Sequence, residues 1–284
     1  MRRPEIILLA PLVALGTWIA VQARNVRSAA DRPRLSAASL ATAPTGARPD
    51  PAGAARAVTR HGAIDIPSGM VDGAGAGTDV GASREPPPVR DPSEIRRRLI
   101  ENQAGTYIGD ILAERDSNIA RWPDRSSRPM RVWIQTADQL HDWSSSYPAQ
   151  VRDAFTTWVS AGAPIPFTFV VDSSAAEVHV TWVDHFDEQI SGKTMWARDD
   201  NWWIVDANVA IALHHNHGEP LDASAVRAIA LHEVGHLLGL DHCSDTANIM
   251  TPRVRVRELS EADKATLRLI YILPPGSVRE AMRL

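Results

Sequence analysis

The sequence is poor in cysteine: Cys243 is the only one among 284 residues. A single cysteine excludes an intramolecular disulfide and any zinc or iron–sulfur site that needs four cysteines. The chain also lacks an excess of positive charge, because 30 Lys and Arg residues face 34 Asp and Glu residues and leave a net charge of −4. Nucleic-acid binding is therefore not expected. The sequence has no repeat and no series of long apolar runs, which excludes collagen-like, coiled-coil and multi-pass membrane proteins.

Aromatic residues are absent from a long N-terminal region. No Phe, Trp or Tyr occurs between Trp18 and Tyr107, and Ala, Pro, Gly and Arg dominate residues 24–92. Such a composition cannot bury enough apolar surface to offset the entropy of ordering the chain. We therefore expect residues 24–92 to be a disordered tether or pro-segment, followed by a helical segment over residues 93–120 and a folded domain over residues 121–284.

The first residues have the features of a targeting signal. A short basic start is followed by an apolar stretch of 16 residues from Ile6 to Val21, and small residues at Val21 and Ala23 match a signal-peptidase site. Residues 1–23 are thus either a signal peptide that is cleaved after Ala23 or a single N-terminal membrane anchor that is retained. In both cases the rest of the chain lies outside the cytoplasm, so we expect a secreted, periplasmic or extracellular protein.

From residue 93 onwards the apolar residues follow both helical and strand periodicities. Helices are predicted from Ser93, over Tyr107 to Ile119, from about Ser146 to Val159, from Asp222 to Leu238 and from Ser260 to Leu273. Strands are predicted over Met130 to Gln135, Phe167 to Val171, Val178 to Val183, Lys193 to Ala197 and Ile204 to Leu213. Helices and strands are mixed along the chain, so the domain belongs to the α/β or α+β class.

One stretch of the chain carries the chemistry: His232-Glu-Val-Gly-His236-Leu-Leu-Gly239-Leu-Asp-His242. On a helix, His232 and His236 lie about 40° apart around the axis, so both imidazoles leave the same face and can bind one zinc ion. Glu233 is one position further round, where it can reach a water on the metal without binding the metal itself. An ordinary amphipathic helix with no metal is the alternative, but five specified residues at these spacings rarely arise by chance.

The third histidine needs a break in the helix. On a continuous helix His242 would point about 120° away from the metal, because it lies six residues past His236. Gly239 can adopt the left-handed conformation that turns the chain back. The sequence therefore predicts three metal ligands, His232, His236 and His242, with a fourth position open for water and substrate.

These residues resemble the signature of the metzincin zinc endopeptidases, HExxHxxGxxH followed by a Met-turn. Asn248-Ile-Met250-Thr-Pro252 is similar to that turn, and Met250 is then expected beneath the zinc ligands as an apolar floor. Leu259-Ser-Glu-Ala-Asp263 and Leu269-Ile-Tyr271 resemble the last helix of the matrixin group, which contains the matrix metalloproteases and their bacterial relatives. The resemblance covers Arg121 to Pro275.

The resemblance implies an α+β metzincin (zincin) fold: a twisted, mixed five-stranded sheet with two packed helices, an active-site helix, a Met-turn and a C-terminal helix. It implies that residues 121–284 form a matrixin-like zinc metallopeptidase domain. The protein is then a monomeric endopeptidase that hydrolyses extended protein or peptide substrates outside the cytoplasm. One catalytic Zn²⁺ is expected, with Glu233 as the catalytic base that activates the zinc-bound water. A metallopeptidase-like domain with a non-catalytic binding role or a narrow self-processing role is the alternative.

The sequence departs from the matrixin pattern at several positions. Cys243 follows the third histidine where matrixins usually carry Ser, so its thiol is either a zinc ligand or a packed side chain. Residues 24–120 contain no cysteine, so the pro-segment cysteine that keeps matrix metalloproteases latent is missing and the latency mechanism stays open. His185-Phe-Asp187 has the shape of the family's structural zinc motif without its companion histidines. Calcium binding is unsupported, because exposed loop acids without calcium are commoner; the acids concerned are Asp184, Asp187, Asp199 and Asp200.

Three further features have two interpretations each. His214, His215 and His217 form either a solvated loop or an adventitious or regulatory metal site, since their spacing does not bring three side chains to one ion. Trp196 belongs either to the core or to the edge strand that matrixins use to hold the substrate backbone. The arginines of Thr251-Pro-Arg-Val-Arg-Val-Arg257 either favour acidic substrates or face water, so the cleavage specificity and the physiological substrate stay open.

Overall fold

The computed structural model of the chain describes residues 66–67, 85–215 and 217–283. Its strands and helices follow in chain order as β1 (Ile66–Pro67), α1 (Pro92–Asn102), α2 (Ile108–Glu114), β2 (Asn118–Ile119), β3 (Met130–Ile134), α3 (Tyr147–Ser160), β4 (Phe167–Val170), β5 (Val178–Val183), β6 (Gly192–Arg198), β7 (Ile204–Ala212), α4 (Ala223–Leu237), β8 (Arg253–Val254), α5 (Glu261–Ile272), β9 (Gly276–Ser277) and α6 (Arg279–Arg283). The predicted signal peptide or anchor at residues 1–23 lies outside the described residues, as does most of the predicted tether at residues 24–92.

A five-stranded mixed sheet forms the frame, with the strand order β4-β3-β5-β7-β6. The first four strands of this order run parallel, and β6 pairs antiparallel with β7 at one edge. Side chains alternate between the two faces of a strand, and β5 accordingly buries Val178, Val180 and Trp182. The predicted α+β class and the predicted mixed five-stranded sheet are confirmed.

The helices α3 and α4 pack against each other, and α4 also lies against β6 and β7. Apolar residues at helical spacing on α3 are buried, among them Val151, Ala154 and Trp158. The indole N–H of Trp158 donates to the carbonyl oxygen of Leu231 on α4 at 2.8 Å. The helix pair is therefore fixed by a directed hydrogen bond as well as by apolar packing.

Capping residues set the start of two helices where the sequence predicts them. The carboxylate of Asp222 accepts the N–H of Ala225 at 2.7 Å at the start of α4. Ser260 and Asp263 form a capping box at the start of α5. These side chains satisfy backbone N–H groups that the first turn of a helix leaves without partners. The helices α4 and α5 therefore begin directly after the capping residues that the sequence predicts.

The segment over residues 93–120 differs from its prediction. The helix that was expected to reach Ile119 ends at Glu114, because Asp116 and Ser117 adopt φ values of 49° and 63° that stop a right-handed helix. The chain then forms β2, which pairs antiparallel with β9. This pairing and the short helix α6 were not predicted. Apolar side chains of α1 and α2 join the main hydrophobic core: Ile95, Leu99, Ile108, Ile111 and Leu112.

Part of the predicted tether contacts the folded part of the chain. Ile66–Pro67 pairs antiparallel with Arg253–Val254. The division of the chain at residues 92 and 120 stays a prediction. None of the described helices is both long and apolar enough to cross a membrane, and the segment for which an anchor was predicted is not among the described residues.

Candidate metal centre

The helix α4 carries His232, Glu233 and His236 near its C-terminal end, and all three side chains are buried. His232 and His236 lie four residues apart, so their imidazoles leave the same face of the helix. His242 follows in the loop after the helix and is partly buried. All four residues predicted for the site therefore lie at one end of one helix.

Gly239 ends the helical path and directs the loop that follows. Its N–H and that of Leu240 donate to the carbonyl oxygens of His236 and Gly235 at 2.9 and 3.0 Å, which is the pattern of a Schellman motif. The φ of Gly239 is 98°, the left-handed conformation that the sequence predicts. A Cβ at this position would also lie 2.4 Å from the carbonyl oxygen of Ala120. Glycine is therefore required both by the backbone and by the space around it.

Three imidazole rings converge beside this turn, and we refer to His232, His236 and His242 as the helix cluster. The Nε2 atoms of His232 and His236 are 2.9 Å apart, and those of His236 and His242 are 3.3 Å apart. One ligand atom from each of the three residues lies within 4.8 Å of the other two. The spacing of the sequence motif thus corresponds to three nitrogens that meet at one point.

Backbone carbonyls set the orientation of two rings. His232 Nδ1 lies 2.7 Å from the carbonyl oxygen of Ile249, and His236 Nδ1 lies 3.1 Å from that of Leu240. Each Nδ1 therefore carries the proton, and the Nε2 lone pairs face one another. Burial lowers the pKa of both histidines, and that of His232 falls to about 3. Neutral imidazoles with converging lone pairs are a donor set that fits zinc.

The carboxylate of Glu233 lies buried between α4 and β6. Its Oε2 accepts a hydrogen bond from the Thr194 hydroxyl at 2.7 Å. Its Oε1 is buried and has no hydrogen-bond partner among the described residues. Burial raises the pKa of Glu233 to about 8, although the Thr194 hydrogen bond opposes this shift. A buried carboxylate oxygen of this kind needs a proton, a water or a reacting group beside it.

Gly192 allows β6 to approach this carboxylate. A Cβ at Gly192 would lie 2.2 Å from Oε1 of Glu233 and 2.7 Å from its Cδ. Neither Gly192 nor Thr194 was predicted as a site residue. Their contacts with Glu233 cross from a strand to a helix some forty residues further along the chain, so no local sequence pattern reveals them.

Met250 lies against the helix that carries the cluster. Its side chain is fully buried, and its sulfur would be 2.3 Å from a Cβ added at Gly235, which stands between His232 and His236. The carbonyl oxygen of the preceding residue, Ile249, is the one that faces His232 Nδ1. This is the position of an apolar floor that the resemblance implied.

Cys243 packs into the loop that leads to Met250. Its Sγ lies 3.6 Å from the side-chain nitrogen of Asn248 and 3.6 Å from the carbonyl oxygen of Asp245. Burial raises the pKa of the thiol to about 11, so it is protonated at neutral pH. Of the two interpretations of the Cys243 thiol, these contacts support a packed side chain and not a metal ligand.

A buried arginine from outside the motif holds the loop of the third histidine. Arg115 follows α2, and its Nε donates to Oδ2 of Asp241 at 2.8 Å, with both side chains buried. The same guanidinium donates to the carbonyl oxygens of Gly239 and Leu240 at 2.9 and 3.1 Å. It also lies 5.2 Å from the ring centroid of Trp196. No local sequence pattern points to Arg115, because this ion pair joins residues that are 126 positions apart.

The structure shows what surrounds Trp196 and Arg257, for each of which the sequence left two interpretations. Trp196 lies on the edge strand β6 and is nevertheless buried, so it belongs to both the edge strand and the core. Arg257 contacts Ser224 and Asp222 at the start of α4, so it does not simply face water. The specificity suggested for the arginine segment stays a hypothesis.

The histidine-rich loop before α4 is not solvated throughout. His217 is exposed and His215 is half-buried, but His214 is buried and its Nε2 lies 3.1 Å from a carboxylate oxygen of Asp142. The interpretation as a solvated loop is therefore wrong for His214. Asp142 and its neighbour His141 were not predicted as site residues, since they follow a different strand.

Two groups of side chains within the described part of the chain have ligand atoms close enough to hold a metal ion. They are the helix cluster and the group of His141, Asp142 and His214. His185 and Asp187 belong to neither group. None of the four acids considered for calcium belongs to either group.

Comparison with known proteins gives a family match that covers half of the chain. The matrixin family profile matches residues 131–272. The chain is 26% identical over 135 residues to matrix metalloproteinase-C of Caenorhabditis elegans, a match that covers 40% of this chain and 22% of that protein. It is 32% identical over 80 residues to metalloendoproteinase 1 of Glycine max, which covers 27% of this chain and 24% of that protein. The matches thus span about a quarter of the length of these curated relatives.

A solved structure is also similar. The crystal structure of myroilysin aligns with a TM-score of 0.38 at 14% sequence identity, covering 54% of this chain and 86% of that chain.

Proposed function

Because the chain belongs to the matrixin family, we propose that it is a zinc-dependent endopeptidase that hydrolyses peptide bonds in extended protein substrates. The observation that carries the proposal is the buried carboxylate of Glu233 beside three imidazoles whose Nε2 atoms converge. Burying a carboxylate with one oxygen left without a partner costs free energy. A domain that only binds a partner has no use for that cost, whereas a hydrolase needs such a base.

His232, His236 and His242 would hold the zinc ion through their Nε2 atoms. The carbonyl oxygens of Ile249 and Leu240 keep two of these rings in the required orientation and tautomer. When bound, zinc supplies the Lewis acidity that lowers the pKa of a water and polarises the scissile carbonyl. One ion at this cluster is sufficient for the proposed reaction.

Glu233 is the general base and acid. Its Oε1 takes a proton from the attacking water and delivers it to the nitrogen of the leaving amine. Burial raises the pKa of Glu233 above that of an ordinary carboxyl, so its carboxylate form is a stronger base than an exposed glutamate. Thr194 holds the other oxygen of Glu233 at 2.7 Å, so the carboxylate keeps one orientation. Gly192 leaves the room that this orientation needs.

The substrate binds as an extended chain along β6. No strand of the described residues pairs with the outer edge of β6, so its N–H and C=O groups can pair with a peptide. The same strand carries Gly192 and Thr194, which lie against Glu233. A peptide paired with this edge therefore runs beside the base, and its recognition depends mainly on backbone groups.

We infer that the protein acts outside the cytoplasm as a monomer. The signal-like sequence of residues 1–23 supports this location, whether the segment is cleaved or retained as an anchor. The net charge of −4 gives no reason to expect a nucleic-acid partner.

The test compares zinc content and cleavage of casein by the wild type and Glu233→Gln. The variant is expected to bind as much zinc as the wild type and to lose about 10²- to 10⁴-fold in turnover, because it lacks the proton acceptor. Cleavage by the wild type should stop with a chelator and return with added Zn²⁺. Glu280→Gln, an exposed site on α6, is the matched control and should cleave at the wild-type rate.

Two outcomes contradict the proposal. Cleavage by Glu233→Gln at the wild-type rate would remove Glu233 as the base. A wild type that binds zinc but cleaves no protein substrate would favour the alternative of a binding or narrow self-processing domain.

A further inference from the structure

Three neighbouring strands end at the same edge of the sheet and are followed by polar side chains. His141 and Asp142 lie in the loop after β3, Asp184 follows β5 directly, and His214 follows β7. Because β3, β5 and β7 are adjacent and parallel, their carboxyl ends meet at one edge. We refer to His141, Asp142 and His214 as the strand-end cluster.

One carboxylate oxygen joins the members of the strand-end cluster. Oδ2 of Asp142 lies 2.8 Å from Nδ1 of His141 and 3.1 Å from Nε2 of His214. All three ligand atoms lie within 4.8 Å of one another. The side chain of His214 is 9% exposed, whereas those of Asp142 and His141 are 42% and 86% exposed. The cluster therefore has a buried base and an open side through which an ion can enter.

Asp184 holds the other ring nitrogen of His214. Nδ1 of His214 lies 3.2 Å from the backbone carbonyl oxygen of Asp184 and 3.2 Å from its carboxylate Oδ1. Both atoms are acceptors, so the proton stays on Nδ1 and the Nε2 lone pair faces Asp142. A lone pair that faces a carboxylate oxygen at this distance is repelled unless a cation lies between them. A carboxylate behind a histidine is also the usual support of a histidine that binds zinc.

We propose that the strand-end cluster binds a second divalent metal ion of the zinc class, separate from the ion of the helix cluster. Two imidazole nitrogens and one carboxylate oxygen are ligands that zinc takes, and a water can complete the four-coordinate shell. Without a metal, the same contacts require the buried ring of His214 to carry a second proton. The number of zinc ions bound by the protein distinguishes a metal at this cluster from a proton on His214.

The ion would connect the sheet to the start of the active-site helix. His214 forms an isolated antiparallel bridge with Pro220, and the N–H of Leu221 donates to the carbonyl oxygen of Leu213 at 2.8 Å. The segment folded in this way leads directly into α4 at Ala223. An ion at the strand-end cluster links this segment to the loop after β3, so its role is structural. It lies at the N-terminal end of α4, and the helix cluster lies at the C-terminal end.

The experiment counts zinc ions on the full chain. Four metal-free proteins are compared: the wild type, His236→Ala, His141→Ala and the double variant. Each is dialysed against Zn²⁺ at free concentrations up to the micromolar range, and its bound zinc is measured by inductively coupled plasma mass spectrometry. We expect two ions on the wild type, one on each single variant and none on the double variant. His141 is exposed, so its removal leaves the fold intact.

The matched control is His217→Ala, an exposed histidine three residues from His214 that belongs to neither cluster. It should bind two ions like the wild type. Loss of an ion in this control, or two ions on both the wild type and His141→Ala, overturns the proposal. One ion on the wild type that persists in His141→Ala also overturns it, because His214 then carries a proton and not a metal. One ion that persists in His236→Ala but is lost in His141→Ala would contradict the helix cluster and leave the strand-end cluster standing.

A second measurement tests the supporting role of Asp184. Asp184→Asn keeps the three ligands and weakens the acceptor behind His214, so zinc affinity in the His236→Ala background should fall about 10- to 100-fold. The thermal midpoint of His236→Ala should rise with added Zn²⁺, because ligands that bind only the folded state stabilise it. The absence of both effects would contradict the proposal.

Discussion

The two histidine clusters in this chain both present imidazole nitrogens, but the groups that surround those nitrogens differ. The helix cluster consists of three imidazoles, two of which are oriented by backbone carbonyls, and it contains no carboxylate ligand. The strand-end cluster includes the carboxylate of Asp142, and a second carboxylate lies behind His214. The helix cluster is mostly buried, and the strand-end cluster is open on one side.

The difference is visible in the pKa values of the histidines. Burial lowers the pKa of His232 and His236. Burial acts in the same direction on His214, but hydrogen bonds to Asp142 and to the backbone of Asp184 outweigh it and raise its pKa. Neutral ligands leave an ion its full charge for polarising water and a carbonyl, whereas a carboxylate ligand neutralises part of it. The first arrangement suits catalysis and the second suits a structural ion.

The largest expected effect comes from the buried ion pair between Arg115 and Asp241, which supports the loop of the helix cluster and not the strand-end cluster. Arg115→Met leaves Asp241 buried without its partner, so the free energy of unfolding should fall by about 3–5 kcal/mol in urea denaturation. Zinc affinity of the helix cluster should fall with it, since Asp241 precedes His242, while the strand-end cluster should keep its affinity. Arg128→Met removes an exposed arginine whose partner Glu177 keeps its ion pairs with Arg125 and Arg131, so it is the control and should change stability by no more than about 0.5 kcal/mol. Equal effects of the two substitutions would show that Arg115 does not brace the loop.

A second prediction separates the chemistry of the helix cluster from its metal binding. Gly192→Ala places a methyl group against Glu233, so the carboxylate must move and kcat/KM should fall by about 100-fold. Both clusters should keep their zinc, because no ligand is displaced. Gly109→Ala, on α2 with open space around it, is the control and should keep full activity. A fully active Gly192→Ala variant would mean that the position of the Glu233 carboxylate is not critical.

The third prediction uses the opposite pKa shifts of the two clusters. His232 is neutral in the folded metal-free protein but becomes charged in the unfolded chain below its ordinary pKa of 6.5, so stability falls as the pH decreases from 6.5 towards 3. At pH 5 the contribution of His232 is about 2 kcal/mol. His214 has the opposite sign, because its raised pKa gives stability that is present below 6.5 and lost as the pH rises through its folded pKa.

Urea denaturation of the metal-free protein at about pH 7 and pH 5 measures these contributions. The loss of stability on acidification should be smaller in His232→Gln than in the wild type, and larger in His214→Gln. The same acid dependence in all three proteins would contradict the assignment of these pKa shifts.

The smallest expected effect concerns the hydrogen bond from Thr194 to Glu233. Thr194→Val removes a hydroxyl bonded to a carboxylate, which is worth about 1.5 kcal/mol, so activity should fall by about tenfold. The pKa of Glu233 should rise further, since this hydrogen bond opposes the effect of burial, and the acidic limb of the pH–rate profile should move to higher pH. Thr194→Ser keeps the hydroxyl and should retain both the rate and the profile. Equal losses in the two variants would indicate a packing effect.

The sequence predicts the helix cluster well because its geometry is local. A spacing of four residues on a helix places His232 and His236 on one face, and a glycine that turns the chain brings His242 back towards them, so the pattern itself is readable from consecutive residues. The helix caps at Asp222 and Ser260 are local in the same sense, and they also agree with the structure. Catalytic and ligand roles remain proposals for these residues.

The residues that support and extend the site could not be predicted in this way. The strand-end cluster needs the order of three strands, Thr194 needs the approach of β6 to α4, and Arg115 needs a contact across 126 positions. The early end of α2 also has no clear sequence signal, because the positive φ angles fall on Asp116 and Ser117 and not on glycine. Each of these features depends on tertiary structure.

The contacts of Arg115 with Asp241, Gly239 and Leu240 have a consequence for where the folded domain of this chain begins. Arg115 and Ala120, which meets Gly239, both precede residue 131, where the similarity to matrixins begins. The strand pair β2–β9 likewise joins residues on both sides of the matched region. A truncated protein that begins at the limit of detectable similarity would lose these contacts and leave Asp241 buried without its counter-ion. The smallest cooperative folding unit is therefore longer than the stretch recognisable by homology, and it starts upstream of it.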